Sequence, residues 1–383
     1  MTDASRFETA AIHAGQDPDP ATGAAVVPIY QTSTYVQDSV GRHRGFEYSR
    51  TDNPTRRALE TCLAALEGAP HALAFSSGMA AITTLALTLE SGARVLIPDD
   101  VYGGTHRLFA RVLTDRAVGF GVVDMTDLGA VEAALDGGAG LVLIETPTNP
   151  TLRVLDVPAL AELAHAAGAL LAVDNTFATP YLQRPLELGA DVSVYSATKY
   201  LGGHSDLVVG SLATADDALA ERLRFLQNAA GSIPGPFDSW LLLRGLKTLA
   251  VRMRAHCAGA ERIAAWLAAR PDVVTAHYPG LAGSPWRALA ERQMAACGEA
   301  RFGGMVSFEV ESEERALAIC ERTSLFFLGE SLGGVESLIE HPARMTHASL
   351  AGSGMEVSTT LVRLSVGIEH PDDLIADLER ALG

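Results

Sequence analysis

The stretch Ala169-Leu170-Leu171-Ala172-Val173-Asp174-Asn175-Thr176-Phe177 decides the architecture. Its apolar run is short for a helix, reads as a strand buried on both faces, and ends on a carboxylate. Runs of the same kind recur at Arg94–Ile97 and Leu141–Ile144. Helical spacing fills the intervals, at Arg56–Leu66, Met79–Leu89, Thr105–Val112 and Val157–Ala167. Buried strands alternating with helices predict an α/β fold, a mainly parallel sheet wrapped by helices from Thr55 to about Gly235. Upstream, residues 1–54 are rich in Asp, Thr, Gly, Pro and Arg without a sustained period and read as an extended arm. Downstream of Pro234-Gly235-Pro236, one long helical pattern from Ser239 to about Ala269 reads as a spine. It leads into a smaller α+β domain with strands at Gly304–Val310 and Leu361–Val366 and helices at Glu313–Arg322 and Pro371–Leu382. The expected division is 1–54, 55–238 and 239–383.

The chain has 383 residues, 48% of them hydrophobic and 20% charged, a composition that supports large packed cores. Lys and Arg number 29 against 46 Asp and Glu, a formal charge of −17. Such a balance repels nucleic-acid phosphates and anionic lipid, so neither a nucleic acid nor a membrane is expected as a partner. Cys62, Cys257, Cys297 and Cys320 lie far apart without a Cys-x-x-Cys pair, which argues for isolated thiols rather than a redox dithiol or a zinc knuckle. Met1–Ala14 lacks a basic start followed by an apolar run, and no segment reaches ~18 uninterrupted apolar residues. A soluble, cytoplasmic protein is expected.

Three local features carry chemistry. Tyr195-Ser196-Ala197-Thr198-Lys199, followed by Gly202-Gly203-His204-Ser205-Asp206, sits beyond an apolar run from Ala190, at the mouth of the sheet where α/β folds bind ligands. Two hydroxyls before a lysine can hold a phosphate while the amine takes up an aldehyde; alone, the same residues also suit a solvated turn. Asp174 at a buried strand end calls for a cationic partner such as a pyridinium nitrogen, with a metal or a helix cap as alternatives. No companion cluster of His, Asp or Glu favours a metal, and none is expected. Ser76-Ser77-Gly78-Met79 opens a helix with a glycine that lets amides approach an anion, or simply caps it. Cup, acid and amine in one domain together meet the needs of pyridoxal 5'-phosphate.

At this point the chain resembles the cysteine/methionine-metabolism family of pyridoxal-phosphate enzymes, which has the aspartate-aminotransferase-like fold (fold type I). The resemblance rests on Tyr48-Ser49-Arg50 with Asn53-Pro54-Thr55-Arg56, Ser77-Gly78-Met79, Asp100-Val101-Tyr102-Gly103-Gly104-Thr105, and Glu145-Thr146-Pro147-Thr148-Asn149-Pro150. It continues through Asp174-Asn175-Thr176-Phe177, Ser196-Ala197-Thr198-Lys199, Glu330-Ser331-Leu332-Gly333-Gly334 and Arg363-Leu364-Ser365-Val366-Gly367, and so covers nearly the whole chain. It implies that Lys199 holds the cofactor covalently and shuttles protons, that Asp174 keeps the ring nitrogen protonated, and that Tyr102 stacks on the ring and serves as acid or base. By the same resemblance, Gly78, Met79, Ser196 and Thr198 hold the phosphate and Thr176 packs beside the ring. Tyr48 and Arg50 would reach the phosphate of a neighbouring subunit, which implies a homo-oligomer, a homotetramer built as a dimer of dimers. Arg363 would grip the α-carboxylate of a small amino-acid substrate, with Asn149 and Ser331 completing that site.

Glu47 and Glu330 discriminate among the family's reactions, as two carboxylates able to bind the distal ammonium of cystathionine. Gly104 differs from the cysteine usual in methionine γ-lyases, and the sulfhydrylases are longer. Glu47 is a longer carboxylate than the Asp of some γ-synthases, which favours cystathionine γ-lyase over γ-synthase. Where relatives carry a His-Pro-x-His-like segment this chain reads Gly280-Leu281-Ala282-Gly283-Ser284-Pro285-Trp286-Arg287, a departure that touches no catalytic role. His204 reads as a structural histidine. An aminotransferase, or a binding protein that lost catalysis, are the rival readings.

Overall fold

The computed structural model describes residues 6–116, 118–348 and 355–383. Among these residues, seven strands form the larger sheet: β1 His71–Phe75, β2 Arg94–Pro98, β3 Gly119–Val123, β4 Leu141–Glu145, β5 Leu170–Asp174, β6 Val192–Ser196 and β7 Gly210–Thr214. Their spatial order is β1-β7-β6-β5-β4-β2-β3, with β7 alone running against its neighbours. The chain adopts fold type I, and the mainly parallel sheet expected from the apolar runs is present. Alternate residues serve opposite faces: in β2, Val95 and Ile97 join one core cluster while Leu96 joins the other. This two-sided burial explains the continuous apolar runs.

Five further strands, β8 Thr275–His277, β9 Met305–Glu309, β10 Phe327–Leu328, β11 Leu338–Glu340 and β12 Leu361–Ser365, form a second sheet in the order β10-β11-β12-β9-β8. The short strands β8, β10 and β11 and the edge strand β3 carry too few apolar residues to stand out in sequence.

Two local expectations are corrected. The arm is not wholly extended, because Phe7–His13 is helical, with Phe7 packed edge-on against Tyr181. The spine is two helices, Pro236–Leu246 and Leu249–Ala268. The Gly245 carbonyl accepts from the Thr248 amide (3.2 Å) and from Arg252 Nη2 (2.9 Å). A Cβ on Gly245 would lie 2.4 Å from the Gly202 carbonyl oxygen, so the helix turns where its backbone passes the loop after Lys199.

Local signals position the site. Asn53 caps the helix Pro54–Glu67 by accepting from the Thr55 amide at 2.9 Å, with Pro54 in the first turn and Gly68 ending it at φ 68°. Ser77 caps Gly78–Ala86 in the same way, accepting from Ala80 at 3.0 Å.

Candidate active site

The carboxyl ends of β4, β5 and β6 and the turn after β1 converge on a cavity of about 300 Å³. Gly78, Met79, Tyr102, Asn149, Asp174, Thr176, Ser196, Thr198, Lys199, Glu330, Ser331 and Arg363 all line it. Twelve residues spread over nearly three hundred positions thus meet at one place. A larger groove of about 1200 Å³, lined by residues such as Arg153, Glu261 and Trp286, includes none of them.

Lys199 Nζ donates to Ser331 Oγ at 2.5 Å. Burial, aided by the Arg363 charge, pulls the amine down to about 8, so a sizeable fraction is neutral near physiological pH. Ser331 is held at φ 95°, the left-handed region that a side-chain-bearing residue seldom adopts, and this brings its hydroxyl to the amine. The Ser331 carbonyl accepts from Arg363 Nη2 at 2.8 Å, while Arg363 Nη1 donates to Asn149 Oδ1 at 2.8 Å. Arg363 Nε is buried and has no partner among the described residues, an unused donor on a fully buried guanidinium.

Asp174 keeps part of its surface on the cavity, and Thr176 is bonded to it: Oδ1 accepts from the Thr176 amide at 3.1 Å and hydroxyl at 2.5 Å. Burial nevertheless raises its pKa, so a cation against it would restore the charged form. Thr176 Oγ1 in turn accepts from the Ser196 amide at 2.9 Å, which ties the end of β5 to that of β6. The first two amides of the helix Gly78–Ala86 have no carbonyl one turn back. A Cβ on Gly78 would lie 3.0 Å from the Cα and Cβ of Ser196, tighter than an ordinary contact, so a larger residue would have to push helix and strand end apart at this cup. Thr198 is pinned through Val209, donating at 3.2 Å and accepting at 3.1 Å. Tyr102 lies at the rim, 37% exposed and otherwise packed, and its amide donates to Glu145 Oε2 at 3.3 Å.

Tyr48, Arg50 and Glu47 do not line the cavity. Tyr48 is exposed, Arg50 stacks over its ring at 5.5 Å and donates to Asn228 at 3.3 Å, and Glu47 lies 3.5 Å from His43. His204 Nδ1 lies 2.9 Å from the Gly202 carbonyl, a local loop contact. Three cysteines are buried and Cys297 partly so, with no disulfide among the described residues. No cluster of His, Cys, Asp and Glu fit for a metal occurs among those residues either.

Two acids escaped the sequence reading. Glu145 lines the cavity, and its pKa is pushed well up by burial and by Asp174 and Asp100. It pairs in register with Asp174, so a second carboxylate at a strand end was the available signal. Glu340 faces Arg363 across β11 and β12, 3.0 Å from Nη1; no local pattern marks it.

Residues 8–383 match the profile of the Cys/Met metabolism PLP-dependent enzymes. The chain belongs to that family. The Mycobacterium tuberculosis protein named cystathionine gamma-synthase is 55% identical over 378 residues, covering 98% of this chain and 96% of that one. The Bacillus subtilis protein named cystathionine gamma-lyase is 50% identical over 378 residues, covering 98% of each. A crystal structure of cystathionine gamma synthase from Xanthomonas oryzae pv. oryzae, in complex with aminoacrylate and cysteine, superposes with a TM-score of 0.95 at 42% identity. That match covers 99% of this chain and 98% of the other. This member of the Cys/Met metabolism family is therefore a PLP-dependent trans-sulfuration enzyme with a small amino-acid substrate, and its cofactor is pyridoxal 5'-phosphate. The cavity fits that group: the glycine cup suits a phosphate, the buried Asp174 a cationic ring nitrogen, and the partly neutral Lys199 amine an aldehyde. No helix among the described residues is long and apolar enough to cross a membrane.

Proposed function

We propose that this enzyme cleaves L-cystathionine and water to cysteine, 2-oxobutanoate and ammonia by γ-elimination. The observation that carries the reading is the pairing, on one cavity, of the Arg363 guanidinium with the Glu330 carboxylate. The first suits the α-carboxylate of a long diamino acid and the second its distal ammonium. Glu330 is close enough to act electrostatically on both Lys199 and Tyr102.

Bound pyridoxal phosphate supplies the electron sink for the pair left when the Cα–H bond breaks. Lys199 holds the cofactor and moves protons at Cα and Cβ, and its lowered basicity suits alternate uptake and release. Asp174 would keep a proton on the ring nitrogen, Gly78, Met79, Ser196 and Thr198 would receive the phosphate, and Thr176 would pack beside the ring. Tyr102, on the cavity rim, would stack on the cofactor ring and would serve as the acid for the departing sulfur. Burial raises its pKa, so it stays a protonated acid near neutrality. Asn149 and Ser331 hold Arg363 in place for the α-carboxylate. The exposed Tyr48 and Arg50 reach the cofactor phosphate of a neighbouring subunit in a cytoplasmic homotetramer, and Glu47 adds its carboxylate to that neighbour's cavity mouth.

The second reading is cystathionine γ-synthase, in which cysteine replaces the acyl group on Cγ of an O-acylated homoserine. The 55% identity to the Mycobacterium tuberculosis protein favours it. A parallel product assay on cystathionine, O-succinylhomoserine with cysteine, cysteine alone and methionine tests both. Dominant 2-oxobutanoate release from cystathionine supports the lyase, dominant cystathionine formation supports the synthase, and pyruvate from cystathionine would sink both by moving the bond cleaved to Cβ.

A further inference from the structure

The Arg363 guanidinium already has an anion inside the protein. Glu340 Oε1 lies 3.0 Å from Nη1, and the two side chains are 1% and 2% exposed. Nη1 also serves Asn149 and Nη2 the Ser331 carbonyl, whereas Arg363 Nε and Glu340 Oε2 have no partner among the described residues. A substrate carboxylate arriving on Arg363 would bring a second negative charge to a guanidinium that already has a buried anion in contact.

The segment after β11 offers a place for a compensating proton. Thr346 Oγ1 lies 2.7 Å from Glu340 Oε1 and 2.8 Å from His347 Nδ1. His347 Nε2 lies 3.1 Å from the Asn149 carbonyl, which only accepts, so the ring hydrogen sits on Nε2 and Nδ1 is an acceptor. Burial keeps this imidazole neutral, with its pKa pulled down to about 4. While Glu340 is ionised, Thr346 has one hydrogen for two acceptors. A proton on Glu340 removes the conflict: Glu340 donates to Thr346 Oγ1, and Thr346 donates to His347 Nδ1.

We propose that Glu340 is a positioning residue that takes up one proton from solvent as the substrate carboxylate docks on Arg363, exchanging the internal anion for the external one. The ionised pair, a carboxylate and a proton become Arg363 bound to the carboxylate beside a neutral Glu340; no other bond changes. The proposal rests on the reading of Arg363 as the carboxylate site. The charged and titratable groups around Glu340 are Arg363 on β12, Lys199 after β6, Glu330 before β11, Cys320 on the helix Glu313–Arg322 and Tyr102 on the rim. Arg363 and Lys199 favour the ionised form and Glu330 the neutral one, with burial the largest influence and the balance upward. Affinity for carboxylates then falls as pH rises through the Glu340 pKa, by up to about tenfold per pH unit for one coupled proton.

The test is calorimetric titration of the cofactor-loaded enzyme with butanoate, a carboxylate without an amine, in buffers of different ionisation heat. Wild type takes up a proton per butanoate bound, approaching one as pH rises, and Glu340→Gln takes up fewer and loses the fall in affinity with pH. Infrared difference spectra of the wild type alone gain a protonated-carboxyl band on adding butanoate, a reading that needs no variant to fold. Equal proton counts in wild type and Glu340→Gln, or no such band, overturn the proposal while binding still depends on Arg363. If Arg363→Ala binds butanoate as tightly as wild type, the carboxylate-site reading itself fails and takes the proposal with it.

Discussion

Directly behind the cavity, Glu67 at the end of the helix Pro54–Glu67 is fully buried, and the Tyr195 hydroxyl donates to its Oε1. Asn175 Nδ2 lies 2.7 Å from the same hydroxyl and Gln183 Nε2 2.9 Å from Asn175 Oδ1, a network that underlies Asp174 and Ser196 through their chain neighbours. Burial pushes the Glu67 carboxyl up to about 7 from its ordinary 4.5. Between those values the folded chain holds a proton that the unfolded chain has released. The stability conferred by the neutral carboxyl is therefore full below about 4.5 and lost as pH rises to about 7. The total is about 3 kcal/mol, most of which falls between pH 5 and 8. Glu67→Gln keeps the acceptor for Tyr195 and has no charge to bury, so it should gain about 2–3 kcal/mol on wild type between those pH values. Urea denaturation of cofactor-saturated protein, followed by circular dichroism at pH 5 and 8, measures this, because other titrating groups cancel in the difference. A wild-type-to-variant gap that does not change with pH would refute the reasoning.

Lys199→Ala should lose at least about 10²–10⁴-fold in turnover, the usual worth of a positioned proton carrier, and borohydride should no longer fix pyridoxal phosphate to the chain. Activity near wild type would remove Lys199 from its role. Gly78→Ala forces a Cβ to 3.0 Å from Ser196, an overpacking worth about 1–3 kcal/mol, and should weaken pyridoxal phosphate retention on dialysis. Retention equal to wild type would count against the cup. Arg50→Ala mixed with Lys199→Ala should regain activity in hybrids if each site draws an arm from its neighbour, and none would appear in fully exchanged hybrids if it does not.

What the amino-acid order determined by itself is whatever depends on neighbours in the chain. Helix caps at Asn53 and Ser77, the apolar runs of β2, β4, β5 and β6, and the chemistry-bearing residues at their ends all answer to spacing and to two-sided burial. Lys199, Asp174 and Gly78 were legible because each sits where a strand or helix begins or stops. The break between Leu246 and Leu249 was not, lying where the helix meets the Gly202 carbonyl, more than forty residues away in sequence. Glu67 and Glu340 look like any surface acid in sequence, and only folding buries them against Tyr195 and Arg363, just as only folding sets the strand-end Glu145 beside Asp174. Desolvation and the pairing of distant charges are properties of a three-dimensional neighbourhood, so the acids whose protons matter here became visible only once the chain had closed around them.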